Sequence, residues 1–277
     1  MLEYRLMHVA GCRLDATRKA EIVERLLSWY AEFGRDLPWR RAREPYAVGV
    51  SEVMLHQTRV ATAAPYYVRF LERFPTVRDL ARASLDEVLK AWEGLGYYAR
   101  ARNLHAAAQR IMREHGGCVP ATREALSALP GVGAYTAGAI LSIAFGQDQA
   151  AVDGNVRRVL SRVFHLTTDV ADPATRREVA SLVAALLPSG KAREFNQALM
   201  DLGAAVCLPR RPRCAACPLP DLCEANRLGI QRLLPVRAPR KPVPHYEVAA
   251  AIIWRDAPDG EFLVAQRLPQ GLLGGLW

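Results

Sequence analysis

Two carboxylates and four thiols are the residues of this 277-residue chain whose neighbours in sequence could support chemistry. Glu52 lies in Ser51-Glu52-Val53-Met54-Leu55-His56-Gln57-Thr58. A helix over 48–59 places it on the face of Val48, Leu55 and His56, so its carboxyl borders an apolar stripe and partial desolvation raises its pKa. A single Glu in a helix is ordinarily a solvated surface residue, so spacing alone does not assign it a role. Asp153 opens Asp153-Gly154-Asn155-Val156, ahead of a helix with Val156, Val159, Leu160 and Val163 on one face. Its plainest role is N-cap, and a cap carboxylate that receives backbone N–H bonds at the positive end of a helix is expected to stay ionised at neutral pH. One carboxyl held protonated and another held charged is the division of labour for cleaving a glycosidic bond: an acid for the leaving group, an anion for the sugar cation.

The thiols are Cys207, Cys214, Cys217 and Cys223, crowded within one loop, while Cys12 and Cys118 stand alone and read as small buried hydrophobes. Four Cys in so short a loop can wrap one compact site, which both zinc and an iron–sulfur cluster accept. Structural zinc sites favour two short Cys pairs, and only Cys214 and Cys217 form one here, which leans toward a cluster. A third signal is Leu129-Pro130-Gly131-Val132-Gly133-Ala134-Tyr135. Two glycines let a hairpin between helices turn tightly and point backbone N–H groups at an anion, although a plain turn with a C-cap glycine reads similarly. Gly94-Leu95-Gly96-Tyr97-Tyr98, followed by Arg100 and Arg102, places two tyrosines on a turn beside basic residues, which suits stacking on bases and equally suits packing within the domain.

These residues need helices to hold them. Ile22, Leu26 and Tyr30 recur at helical spacing, Ser84 and Glu87 form a capping box ahead of Val88 and Trp92, and Val179, Leu182, Val183 and Leu186 repeat the pattern, so residues 1–230 read as all-α with no convincing strand. Residues 125–147 carry no charge over a length that could span a membrane, yet Pro130, Gly131, Gly133 and Gly138 interrupt them, and no export signal is evident at the start. A Pro- and Arg-rich linker follows at 231–244. From 245 to 277, apolar runs at 246–254 and 262–265 flank the turn Ala257-Pro258-Asp259-Gly260 and predict a β-hairpin. A lone hairpin is marginally stable, so a second, β-containing domain is expected to begin near 245 and the sequence to be a piece of a longer one. The composition, 51% hydrophobic and 23% charged, excludes disordered and collagen-like classes. The net charge of +9, with eight Arg or Lys against two acids between Cys207 and Lys241, favours a nucleic-acid partner over a membrane.

Taken together, the chain resembles the helix-hairpin-helix DNA glycosylases, and among them the adenine DNA glycosylases of the MutY type. The matching segments are Leu37-Pro38-Trp39-Arg40, Ser51 to Thr58, Gly94 to Tyr98, Leu129 to Ile140, Val152 to Val156 and the four-Cys loop, in family order over 16–277. The resemblance implies a mainly α fold of two lobes with the active site in the cleft, a [4Fe–4S] cluster on Cys207, Cys214, Cys217 and Cys223, and then the start of a truncated Nudix-like domain that reads 8-oxoguanine. It implies a monomer in the cytoplasm, associated with the nucleoid, that removes adenine mispaired with 8-oxoguanine or guanine in double-stranded DNA. By position, Glu52 matches the general acid and Asp153 the carboxylate that stabilises the sugar cation. Tyr135, Asn155 and Arg40 match residues that orient these groups and the flipped base, while Leu55, Gln57 and Tyr97 match residues wedged into the duplex. Leu129, Gly131 and Gly133 match the DNA-binding hairpin. Extrusion of the target nucleotide is physically required, because the glycosidic bond cannot be worked on inside the stack.

Bifunctional relatives of the endonuclease III type carry Lys where this chain has Tyr135; Tyr cannot form an imine, so base excision without strand cleavage is expected. The chain departs from the family at His56, where Gln is usual, and at Gly49, where Trp is frequent. Two rival readings remain, a bifunctional glycosylase/lyase and a non-catalytic DNA-binding protein with a structural metal.

Overall fold

The computed structural model describes residues 8–9, 12–41, 43–239, 243, 245, 247, 251–255 and 260–268. The chain divides into one unit running through Ala238 and a second beginning at Pro239. The first opens on a minimal antiparallel pair, β1 (His8–Val9) and β2 (Cys12–Arg13), with His8 opposite Arg13. This corrects the expectation of no strand in the region: two-residue strands are too short to register as alternation. The rest is helical. Helix α1 (Ala16–Phe33) is capped by Asp15, and α2 (Pro38–Arg41) leads into α3 (Pro45–Leu55), which starts on Glu44 with proline at its first position. Helices α4 (Val60–Arg73), α5 (Val77–Arg82) and α6 (Leu85–Trp92) follow; Thr76 with Asp79 and Ser84 with Glu87 form reciprocal capping boxes at α5 and α6. Helix α7 (Ala99–Glu114) then precedes the short α8 (Arg123–Ser127) and α9 (Ala134–Ile143).

The helical unit has two apolar cores. One is built from α2 to α9 around Met54, Phe70, Trp92, Leu126 and Leu141. The other gathers Ile22 and Leu26 from α1 with residues of α10 (Gly154–Val163), α11 (Pro173–Leu186) and α12 (Ala192–Asp201). The chain thus begins in one lobe, crosses to build the other and returns, so segments remote in sequence face each other where the lobes meet; Met200 packs against both cores. Each large side chain buried this way contributes about 1.5–3 kcal/mol of transfer free energy.

The uncharged stretch at 125–147 becomes α8, a turn and α9, whose residues from Thr136 to Ile143 are all buried. Its apolar character serves the core, and among the described residues no helix is long and apolar enough to cross a membrane. The turn needs glycine. Gly131 has φ 76°, and a Cβ there would lie 2.8 Å from Asn103 Cβ.

After α12 the backbone widens into a π turn (Leu202–Val206) and then the cysteine loop, followed by α13 (Glu224–Arg227). Residues beyond it stay with the helical unit: Leu234 is buried, its carbonyl accepts from Arg162 Nε at 3.0 Å, and Val170 N–H donates to Val236 O at 3.0 Å. In the second unit Trp254 pairs antiparallel with Phe262, and Leu263 N–H donates to Ile253 O at 2.9 Å. The expected hairpin is visible at that one bridge; residues 256–259 of its turn lie outside the described residues.

Candidate active site

A cavity of about 590 Å³ opens where the two lobes meet. Helix α3 supplies Ser51, Glu52 and Leu55, α2 supplies Trp39 and Arg40, α9 supplies Tyr135, the start of α10 supplies Asp153 and Asn155, and α12 supplies Gln197 and Met200. Glu52 is only 5% exposed. That overturns the ordinary surface role of a helical Glu, and the reason is tertiary: α3 is buried almost all round, between α4, α7 and α9. The helix also ends earlier than its spacing suggests, at Leu55. His56 leaves the helical conformation as C-cap, and Gln57 takes a left-handed φ of 61°.

The Glu52 carboxyl meets one hydroxyl. Tyr135 OH donates to Glu52 Oε2 at 2.6 Å and also lies 3.9 Å from Met200 Sδ. Burial pushes the Glu52 pKa up to about 7, with the Asp153 charge adding to it and the Tyr135 hydrogen bond and the Arg40 charge pulling it back. Near neutrality this carboxyl is therefore divided between its acid and its anion, the condition for proton transfer in both directions.

Asp153 is the N-cap of α10. Its Oδ1 accepts from Val156 N–H at 2.7 Å and its Oδ2 from Asn155 Nδ2 at 2.8 Å. Capping was expected to hold this carboxyl low; instead burial outweighs it and moves the pKa upward, with the bonds from Val156 and Asn155 opposing. Both partners are nitrogen donors, which only an acceptor oxygen satisfies, so the environment still favours the ionised form relative to an equally buried carboxyl without them. Asn155 Oδ1 in turn accepts from Arg158 Nη2 at 2.8 Å, and Arg158 Nε donates to the Cys207 carbonyl at 2.8 Å. Gly203 lies beneath Asn155, where a Cβ would come within 2.5 Å of Asn155 Cβ.

Arg40 is held from behind. Its Nη1 and Nη2 donate to the two oxygens of Asp201 at 2.6 and 2.7 Å, Nη1 also reaches Arg35 O at 2.8 Å, and the guanidinium sits 5.5 Å from the Tyr30 ring centroid. Asp201 is wholly buried and also binds Arg35. Sequence reasoning passed over α12. Nothing local in the sequence marked Asn196, Gln197 and Asp201, whose burial is decided by the packing of α12.

Of the residues expected to meet DNA, Leu55 and Gln57 line the rim of this cavity, whereas Tyr97 stands apart on its own turn, 63% exposed. Gly131 and Gly133 lie in the turn before α9, whose N-terminus has no side-chain cap and so leaves backbone N–H groups available to an anion. Leu129 is buried in the core, so only its backbone belongs to that turn's outer face.

The four loop cysteines line one small cavity on the far side of α10. Among the described residues no three His, Cys, Asp or Glu side chains form a single-ion coordination group. The donor set nevertheless suits thiolate ligation. Arg162 Nη1 donates to Cys207 Sγ at 3.2 Å, Leu219 N–H to Cys217 Sγ at 3.4 Å and Gln231 Nε2 to Cys214 Sγ at 3.8 Å, the kind of N–H···S contacts that support charged sulfur. As bare thiols two of them resist ionisation: burial pushes Cys217 up to about 12 and raises Cys223. Cys118, expected in the core, is exposed instead, because the turn at Gly116 and Gly117 carries it outward after α7. The side chain of Cys12 lies outside the described residues.

The profile of the HhH-GPD superfamily base excision DNA repair proteins matches residues 50–185, a span holding Glu52, Tyr135, Asp153 and Asn155. The adenine DNA glycosylase of Mycobacterium tuberculosis (strain CDC 1551 / Oshkosh) is 44% identical over 205 residues, covering 74% of this chain and 67% of that protein. The chain belongs to this superfamily. The adenine DNA glycosylase of Homo sapiens is 41% identical over 304 residues, 91% of this chain and 56% of that protein, and the Rattus norvegicus one is 41% identical over 301 residues, 91% and 58%. The chain spans a little over half the length of these two relatives. Among solved structures, a thermostable thymine-DNA glycosylase superposes with a TM-score of 0.70 at 32% identity, covering 77% of this chain and all of that one. A trapped endonuclease III–DNA covalent intermediate superposes with a TM-score of 0.67 at 25% identity, covering 78% and 99%.

Proposed function

We propose that the helical unit excises adenine mispaired with 8-oxoguanine or guanine in double-stranded DNA, as a monomer, and leaves the strand uncut. The observation that carries this is the buried Tyr135–Glu52 pair at 2.6 Å. It supplies a carboxylic acid poised near neutrality and, at the hairpin position, a phenol where an imine-forming lysine would be needed for strand cleavage. Glu52 gives its proton to adenine N7. The C1′–N9 bond then breaks with its electron pair going to the base, and the Asp153 carboxylate faces the sugar cation. Water adds to C1′ and returns a proton to Glu52, so adenine and an abasic sugar leave and the acid is restored. Tyr135 and Asn155 hold the two carboxyls, and Arg40 borders the pocket that receives the base. Relatives at 37–49% identity bearing the name adenine DNA glycosylase support the choice of base.

The loop cysteines fit a [4Fe–4S] cluster, with Cys207, Cys214, Cys217 and Cys223 as ligands; bound there it would brace a basic loop against α10. Three N–H···S contacts support that reading. Residues 245–277 we assign to a Nudix-related fold that reads 8-oxoguanine, following the helical domain at 1–230 and a linker at 231–244 whose first part, Leu234 and Val236, packs on the helical unit. The deciding test is a single-turnover reaction on a duplex with one adenine opposite 8-oxoguanine, half the sample being treated with alkali. Breaks only after alkali support the proposal. Breaks without alkali restore a lyase, and none in either half, from folded iron-loaded protein, leaves a binding protein.

A further inference from the structure

Arg100, the second residue of α7, makes a concentrated set of contacts outside the cavity, most of them to other segments. Its Nη1 donates to Val53 O at 3.0 Å, to Met54 O at 2.8 Å and to His56 O. Its Nη2 donates to Thr58 Oγ1 at 3.1 Å, Leu95 O at 3.3 Å and Gly96 O at 3.2 Å. The guanidinium lies 5.3 Å from the Trp92 ring centroid and 5.6 Å from that of Tyr97. One side chain thus joins the end of α3 to the turn after α6.

Those two segments carry the wedge candidates, and both are held in an unusual backbone state. Among the described residues only three other than glycine have positive φ: Gln57 at 61°, Tyr97 at 49° and His165 at 51°. Side chains with a Cβ adopt this conformation reluctantly and keep it only where the surroundings over-determine it. Arg100 bonds the carbonyl just before Gln57 and the hydroxyl just after it, and the two carbonyls that precede Tyr97. The charge also suits the site, since the carbonyls at the α3 C-terminus lie at the negative end of the helix, and the fork geometry of arginine reaches both segments where lysine cannot.

We infer that Arg100 is the positioning residue for base extrusion, clamping Gln57 and Tyr97 into the left-handed conformations from which they enter the duplex together. The inference rests on the wedge roles proposed for those two residues. It acts before the chemistry: Arg100 does not line the cavity that holds Glu52 and Asp153.

The test uses the full chain and a duplex in which 2-aminopurine replaces the target adenine, its fluorescence rising on extrusion. Arg100→Lys is expected to lower the fluorescence gain and the single-turnover excision rate about tenfold, within the range misplacement of a positioned group produces. The pH midpoint of excision should stay unchanged, while the melting temperature falls because some of the six acceptors lose their donor; that fall, unlike the loss of extrusion, should persist in any background. In a Gln57→Ala/Tyr97→Ala background, adding Arg100→Lys should have no further effect on extrusion or excision, because its contribution passes through those side chains. If Gln57→Ala/Tyr97→Ala alone leaves extrusion intact, the wedge reading fails. If that double variant loses extrusion while Arg100→Lys keeps it, the wedge stands and the clamp is overturned. A further loss of excision rate when Arg100→Lys is added to the double-variant background also overturns it, since that contribution would not pass through Gln57 and Tyr97.

Discussion

Tyr135 and Glu52, 83 positions apart, share a 2.6 Å hydrogen bond in which the phenol is the donor. The bond ties the hairpin helix to the acid and lowers the acid's pKa against the upward push of burial. Removing it with Tyr135→Phe should therefore move the alkaline limb of the excision profile to higher pH, while the maximal rate falls roughly tenfold, the worth of a hydrogen bond to a charged group. Single-turnover rates across pH 6 to 9 measure both; a limb that moves to lower pH would contradict the assignment.

Excision that depends on protonated Glu52 and ionised Asp153 should decline tenfold per unit above about 7, where burial has set Glu52, and should also fall on the acid side as Asp153 takes up its proton. Glu52→Gln should reduce the rate roughly a thousandfold and leave duplex affinity nearly unaltered. Gel-shift and single-turnover assays on one preparation check the pair, and surviving excision would show that Glu52 is not the acid.

The same carboxyl makes folding depend on pH. In the unfolded chain Glu52 titrates near its ordinary 4.5 and in the folded chain near 7, so the folded state holds the proton longer. Its protonated-state stability is fully present below pH 4.5 and is lost as pH rises through 7, about 3 kcal/mol in all. Glu52→Gln has no such loss. Urea denaturation should show the variant gaining on wild type from pH 5 to pH 8, and a constant difference would refute the linkage.

Gly203→Ala places a methyl 2.5 Å from Asn155 Cβ and 3.1 Å from its Cα, against backbone that cannot rotate away. Asn155 should shift off Asp153, with excision falling about tenfold and stability by about 1–3 kcal/mol. A variant as active and stable as wild type would show that the π turn yields.

Arg162, 1% exposed, binds four backbone carbonyls, at Leu234, Cys207, Leu208 and Pro209, besides Cys207 Sγ. Arg162→Met keeps the volume but strands those acceptors, and about 3–5 kcal/mol of stability should go with them. If the loop holds the proposed cluster, iron content per chain should drop in parallel. Full iron loading in the variant would separate the cysteine loop from this anchor.

Much of the fold was legible because its signals are local. The capping box of Ser84 and Glu87, the Asp153 cap and the Gly131 turn each depend on residues within a few positions, and each forms as the spacing implied. The site residues were legible only through motif order. The apolar face of Val48 and Leu55 announced only partial desolvation of Glu52, not its near-complete burial, and the glycines and proline that interrupt 125–147 argued against a membrane span without saying that it becomes a core helix.

By itself the sequence determined which residue types were present, where helices begin and that a basic chain carries four thiols in one loop, since hydrogen bonding and charge between near neighbours suffice for these. The tertiary structure alone decided that Glu52 loses its water, that Asp201 meets Arg40 across 161 positions, that Arg158 joins Asn155 to the Cys207 carbonyl and that Arg100 binds two separate turns. Desolvation and long-range pairing are properties of packed lobes. They arise only when the chain returns from one core to the other and closes the cavity between them.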